Sequence, residues 1–301
     1  MDQTIQHPSS PCDVLLDTDA FNETDDQFAI AYLLAASDFL RPVAFTAAPF
    51  HNSLSTGPAD GMEKSYHEII KVLDLAARPE LKPLVARGSS AYLPDETTPI
   101  HSQAADAIIQ AAMSHSSERP LYVLAIGALT NVASALLIEP KIQDRIVIVA
   151  LCGHALHWPD TNEFNMAQDI AAARIVFGCR APLVQLPCAG VVDHLLTTGP
   201  ELNFWLRGKN AVCDYLCDNT ISAAESYAKG KPWSRVIWDI STVAWMLDPD
   251  EVMLSTRFIP APIPEYNHRY GTKPADHNIG YVWHINRDAL FEHMFGLLAK
   301  L

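Results

Sequence analysis

Short apolar runs that trade places with longer helical patterns constrain this chain more than any other feature. "DVLLDTD" at 13–19 reads as a buried strand, and "DDQFAIAYLLAAS" at 25–37 as the helix that follows. "RPVAFTAAP" (41–49) predicts a second strand, "GMEKSYHEIIKVLDLAA" (61–77) a second helix, and "KPLVARG" (82–88) a third strand. The helix "SQAADAIIQAAMSH", the strand "PLYVLAIG", the helix "LTNVASALLIEPKI" and the strand "RIVIVALCG" continue the series. The helix "DIAAARIVFGC" and the strand "PLVQLPC" bring it to residue 188. Parallel neighbours need a crossover, and a helix is the usual one. Strand runs without polar alternation are covered on both faces. The expected fold class is therefore α/β, a mostly parallel, doubly wound, Rossmann-like sheet with helices on both faces. Residues 200–250 read as mainly helical, and the tail from "IPAPIPEYNHRYG" to "NIGYVWHINRDALFEHMFGLLAKL" predicts late strands and a closing helix. No linker, repeat or shift of composition divides the chain. We expect one domain over 1–301, with 1–12 a loose start.

A chain of 301 residues with 49% apolar content can bury a substantial core. Its net charge of −14 excludes roles that grip phosphate backbones or anionic membrane surfaces. Small neutral or cationic ligands and metal ions fit better. The opening "MDQTIQHPSSPCD" lacks a secretory pattern, and no apolar run reaches the ~18 residues of a membrane span. A cytoplasmic protein is expected. The cysteines at 12, 152, 179, 188, 213 and 217 show no CxxC pair, so reduced, mostly buried thiols are expected.

Against this background "DTDAFNETDD" (17–26) stands out, with four aspartates and a glutamate where the first strand gives way to a helix. Ligands of open parallel sheets bind at the carboxyl ends of strands. A helix N-terminus favours an acid and Asp is a good N-cap, which accounts for one aspartate, at most two. Carboxylates on both sides of one turn call for a cation, and hard ions such as Ca²⁺ and Mg²⁺ take oxygen ligands. The stretch lacks the spacing and the Gly of an EF-hand loop. "EFNMAQDIAAARIVF" sets Glu163 and Asn165 two apart before a helix beginning near Asp169, either to bind a polyol or to cap the helix. In "VIWDISTVAWMLDPD", Asp239 opens an apolar helix, where an N-cap is the simpler reading.

Taken together, these stretches resemble the inosine-uridine-preferring nucleoside hydrolase family. "DTDAFNETDDQFAI" is similar to that family's Asp-x-Asp, turn and Asp-Asp signature. "VLAIGALTNVASALLIEPKI", "NEFNMAQDIAAARIVF" and "WDISTVAWMLDP" resemble its later segments, in the same order, over about residues 13 to 250. The resemblance implies a Ca²⁺-dependent N-ribohydrolase, a homo-oligomer of two or four copies, acting on a small nucleoside. Asp19 would ligate the ion and act as general base toward the attacking water. Asp26, Asp239 and the backbone carbonyl of Ile126 would complete the ligands. Asp25, Glu163 and Asn165 would grip the ribose hydroxyls.

Several positions depart from the family pattern. "AFNET" makes the first turn two residues longer, so Asn22 and Glu23 intrude on the site. Trp238 stands where many members carry a histidine thought to protonate the departing base. A Trp there is similar to the purine-preferring branch, which stacks the base between aromatic rings. A core role for Trp238 is the alternative. His157 takes the place of an asparagine that touches the ribose 5′ end. Asn52, in the longer "APFHNSLSTGPADG" segment, stands in for the asparagine of a short turn, and the family's glycine-rich loop after the third strand is missing. Two other readings are a non-catalytic nucleoside or sugar binder and a haloacid-dehalogenase-like Mg²⁺ phosphatase. The second leaves Asp25–Asp26 and "EFN" unexplained.

Overall fold

The computed structural model describes Ile5 and residues 7–301. Along the chain run β1 (Cys12–Thr18), α1 (Asp26–Ala35), β2 (Leu40–Ala47), α2 (Pro58–Leu75), β3 (Val85–Ala86), α3 (Gln103–Met113), β4 (Leu121–Ala125) and α4 (Thr130–Ile138). They are followed by β5 (Ile146–Leu151), α5 (Phe164–Gln168), α6 (Ile170–Gly178), β6 (Leu183–Leu186), β7 (Leu196–Thr197), α7 (Gly199–Trp205) and α8 (Ala211–Ala228). Then come β8 (Arg235–Val236), α9 (Ile240–Met246), β9 (Leu254–Pro260), β10 (Pro264–Glu265), β11 (Arg269–Tyr270), β12 (Asn278–Ile285) and α10 (Arg287–Leu298).

Eight strands make one sheet in the order β3-β2-β1-β4-β5-β6-β12-β9, and only β9, on the edge, runs antiparallel to its neighbour. The short pairs β7–β8 and β10–β11 stand apart from it. Strands β4 and β5 are buried at every residue, as expected for runs covered on both sides. Successive side chains go to opposite faces. Val14 and Leu16 join the layer of α1, α2, α8, α9 and α10, while Leu15 joins that of α3, α4 and α6. Helix α1 is buried all round from Asp26 to Leu34, because α9, α10 and α2 pack around it.

The deviations have local causes. Pro42 lacks an N–H, and the β1–β2 register slips beside it, between Val14 and Leu15. Pro140 ends α4 at Ile138 and starts a 3₁₀ turn over Pro140–Asp144. A 3₁₀ turn at Pro79–Leu84 shortens the strand expected at 82–88 to Val85–Ala86. Strand β9 has no counterpart in the sequence expectations. Of the start expected to be loose, residues 1–4 and 6 lie outside the described residues. The remainder is docked, with the His7 ring stacked on Trp245 at 4.1 Å. Among the described residues no helix is long and apolar enough to cross a membrane.

The chain winds outward from β1 to β3, then returns to place β4 on the other side of β1. This reversal opens a crevice at the carboxyl ends of β1 and β4, where ligands of such sheets sit.

Candidate active site

Asp19 follows β1 directly into that crevice. Its residue is buried, and neither carboxylate oxygen has a hydrogen-bond partner. The loop behind it is braced on itself: the Asn22 N–H donates to the Asp19 carbonyl at 2.7 Å, and Gln27 Nε2 donates to the Ala20 carbonyl at 2.6 Å. Gly127 makes the close approach possible, since a Cβ there would lie 3.2 Å from Asp19 Cγ.

Helix capping does not occupy the other acids. Asp25 is the N-cap residue of α1 and Asp239 that of α9, yet neither side chain makes a capping bond. Asp25 Oδ2 instead accepts the Trp238 N–H at 3.0 Å, which ties the first loop to the start of α9. Asp26 Oδ1 accepts from Thr18 Oγ1 at 2.5 Å. One oxygen each of Asp25, Asp26 and Asp239 lies within 4.8 Å of the others, all three residues buried. Burial, then the Asp25 carboxylate, pushes the Asp26 carboxyl up to about 8. Asp19 and Asp239 are raised well above the usual carboxylate range by burial first and by their acidic neighbours second. Packed carboxylates of this kind need shared protons or a cation.

Glu163 is the N-cap of α5 and does use its side chain, accepting the N–H groups of Asn165 at 2.8 Å and of Met166 and Gly153 at 2.9 Å. Gly153 sits at φ +68°, which suits glycine. Asn165 Nδ2 donates to the Ile126 and Leu151 carbonyls at 3.1 and 3.2 Å, tying the ends of β4 and β5 together. The "LTN" motif is scaffold. Asn131 Nδ2 donates to Asp17 at 2.8 Å and to the Ala47 carbonyl at 3.1 Å, while Oδ1 accepts from the Ser89 N–H and hydroxyl. Thr130 Oγ1 donates to Asp169, which caps α6.

A cavity of about 230 Å³ gathers Asp19, Asp25, Asp26, Ile126, Glu163, Asn165, Trp238 and Asp239. A larger hollow of about 900 Å³, lined by Arg41, His115 and Arg119, opens at the amino ends of the strands and holds none of these groups. Asn52 and His157 do not line the cavity. Asn52 Nδ2 donates to Asn22 Oδ1 at 2.6 Å and braces the longer first loop from outside. His157 is exposed on the loop after β5. His154 lines the cavity instead, its Nδ1 accepting the Ala189 N–H at 3.2 Å. The sequence signal for it was its place just after a buried strand, at a carboxyl end. Asn22 and Glu23 also line the cavity, and Glu23 Oε2 accepts from Arg235 Nη2 at 2.5 Å.

An α/β sheet with a carboxylate-lined cavity at its switch point defines the class. The model of the inosine-uridine preferring nucleoside hydrolases matches residues 14–291, so the chain belongs to that family and is an N-glycosyl hydrolase. It is 24% identical to a pyrimidine-specific ribonucleoside hydrolase, RihA, of Klebsiella pneumoniae, over 91% of this chain and 95% of that protein. It superposes on a plant nucleoside hydrolase, PpNRh1, with a TM-score of 0.75 at 18% identity, covering 97% of this chain and 100% of that one. A purine-preferring ribonucleoside hydrolase from Gardnerella vaginalis gives 0.73 at 20% identity, with 96% and 98% covered. Family membership sets the phosphatase reading aside. The family's metal dependence agrees with the buried acidic cluster.

Proposed function

We propose that the protein is a Ca²⁺-dependent ribonucleoside hydrolase releasing free base and ribose, with Asp19 as general base. The observation that carries this reading is the pair of buried, partnerless Asp19 oxygens in the same cavity as the Asp25, Asp26 and Asp239 cluster. An oxygen-only donor set suits a hard cation. Asp19, Asp26, Asp239 and the Ile126 carbonyl would hold it. Such an ion, when bound, compensates the carboxylates and acidifies water in its shell.

Asp19 takes the proton of the attacking water. Asp25, Glu163 and Asn165 hold the ribose hydroxyls. Asn165 Nδ2 is committed to two carbonyls, so its Oδ1 is the atom left for a hydroxyl. Positive charge develops on the sugar as the bond to the base breaks, and the surrounding carboxylates stabilise it. Trp238, partly buried on the cavity wall, supports a purine as the better-stacked leaving group. The curated relative is named pyrimidine-specific, so the base is settled by assay. A panel of purine and pyrimidine nucleosides assayed for free ribose, with and without a chelator, tests the reading. We expect release that a chelator abolishes and Ca²⁺ restores. Undiminished release in chelator overturns the metal assignment, and none from any nucleoside overturns the activity.

A further inference from the structure

One residue on the cavity wall, His154, takes no part in the metal or ribose contacts proposed for the site. It stands on the loop after β5, and the fold locks it there. The Cys188 N–H donates to the Gly153 carbonyl at 2.8 Å and the Ala155 N–H to the Ala189 carbonyl at 2.9 Å, so the chain is pinned on both sides of it. Tyr270 Oη donates to the His154 carbonyl at 2.9 Å. The half-buried ring is fixed as well, because Nδ1 accepts the Ala189 N–H at 3.2 Å. A nitrogen that accepts an N–H carries no proton, so the neutral imidazole has its proton on Nε2. Burial lowers the pKa of the ring, against the pull of Asp160 and Asp193, and favours that neutral form. Among the described residues no protein group bonds Nε2, which leaves the cavity wall one fixed N–H donor unspent.

Strand order decides which end of a substrate meets that donor. Asp19 follows β1 and His154 follows β5, two strands away, or about 10 Å across the sheet. The Gly153 N–H donates to Glu163 Oε2 at 2.9 Å, so His154 adjoins the Glu163 carboxylate. At the Asp19 end, a ribose offers the two oxygens of its vicinal diol to a hard cation. The base and the 5′-hydroxymethyl arm both leave from the opposite face of the ring. Trp238, tied to the first loop through Asp25, is the wall proposed for the base, which leaves the arm for the wall of Glu163 and His154. His157, set at the ribose 5′ end by the family pattern, is exposed and does not line the cavity.

From this placement we infer that His154 is a substrate-binding residue whose Nε2–H donates to the 5′ oxygen of the nucleoside, so that the enzyme selects for an intact 5′-hydroxyl. The inference rests on the hydrolase reading above and adds a specificity residue to it. A hydroxyl both accepts and donates. It accepts from His154 Nε2 and donates to Glu163 Oε1, which takes a single backbone N–H, that of Asn165. A 5′-deoxy sugar fills nearly the same space and leaves both protein groups unpaired.

The test measures kcat/KM, by release of the base, for inosine, uridine and their 5′-deoxy counterparts with the parent, His154→Ala and His154→Gln, each saturated with Ca²⁺. We expect the parent to favour the 5′-hydroxyl about tenfold or more, since its loss strands a donor and an acceptor. His154→Ala should lose about tenfold on the hydroxylated nucleosides and much less on the 5′-deoxy ones, for purine and pyrimidine alike. Glutamine carries an N–H at similar reach and should restore part of the preference. The His154 side chain makes one hydrogen bond to the protein, so both variants should fold, which circular dichroism checks. A parent that cleaves 5′-deoxynucleosides as well as hydroxylated ones overturns the inference without recourse to any variant. Equal losses on both sugars overturn it too, as does a loss confined to one base, which would set His154 against the base. In each case the hydrolase reading stands. No base released from any nucleoside would overturn both.

Discussion

Titrating Ca²⁺ into chelator-treated protein at pH 7 should release protons, because the carboxylates that would hold the ion carry them in its absence. The Asp26 carboxyl is pushed up to about 8 by burial and by Asp25. A group with its pKa one unit above the ambient pH is roughly nine-tenths protonated, so Asp26 alone yields about 0.9 proton per ion. Asp19 and Asp239 are also raised well above the usual range by burial and by their acidic neighbours, and add to this. Isothermal titration calorimetry in buffers of different ionisation enthalpy reads the number as a slope. At pH 9 the Asp26 contribution should fall to about 0.1. The same ion, at a hundred times its dissociation constant, should add about 2.7 kcal/mol to stability. For a chain of this size that raises Tm by roughly 4 °C. Saturable binding with a slope near zero at pH 7 would place the ion away from these aspartates and refute the reasoning.

Asp19→Ala should abolish ribose release while the circular dichroism spectrum of the metal-free protein stays native, since the side chain bonds to no other protein group; parental turnover would remove it as the base. Metal-free protein should grow more stable as pH falls from about 8 toward 4 in thermal melts. The folded-state values of Asp26, Glu23 and Asp17 are raised to about 8, 7 and 6, so the folded state binds protons more tightly than the unfolded chain. Loss of stability over that window would contradict the burial of these acids. Asn131→Ala should cost about 2–4 kcal/mol in urea unfolding, because it strands the buried Asp17, Ala47 and Ser89 groups; a cost below about 0.5 kcal/mol would show that the network is replaceable. Trp238→Ala should slow purine release more than pyrimidine release, and equal losses would rule out stacking.

The acids and the amide that line the cavity were legible because they sit at strand ends and helix starts whose spacing is local. Asp19, Asp25 and Asp26 share one turn, and Glu163 and Asn165 share another. The loop side of the cavity was not, because loop paths depend on distant partners. His157 and His154 lie three residues apart on one loop, and only the fold of 153–162 turns the second toward the cavity. Asn52 matched a turn position by order along the chain, but its amide found Asn22 rather than the cavity.

By itself the sequence determined the alternation of elements, the two-faced burial of the sheet and the crowding of acids after β1. Those follow from apolar periodicity and local turn chemistry, which act over a few residues. Only the tertiary structure decided that Asp25 and Asp239 forgo helix capping to meet each other. That choice depends on the Trp238 N–H arriving beside Asp25 from a strand-and-helix junction far along the chain. It also decided that Glu23, on the cavity wall, pairs with Arg235. A carboxylate's partner is set by what the fold brings within hydrogen-bond reach, and no spacing along the chain encodes that distance.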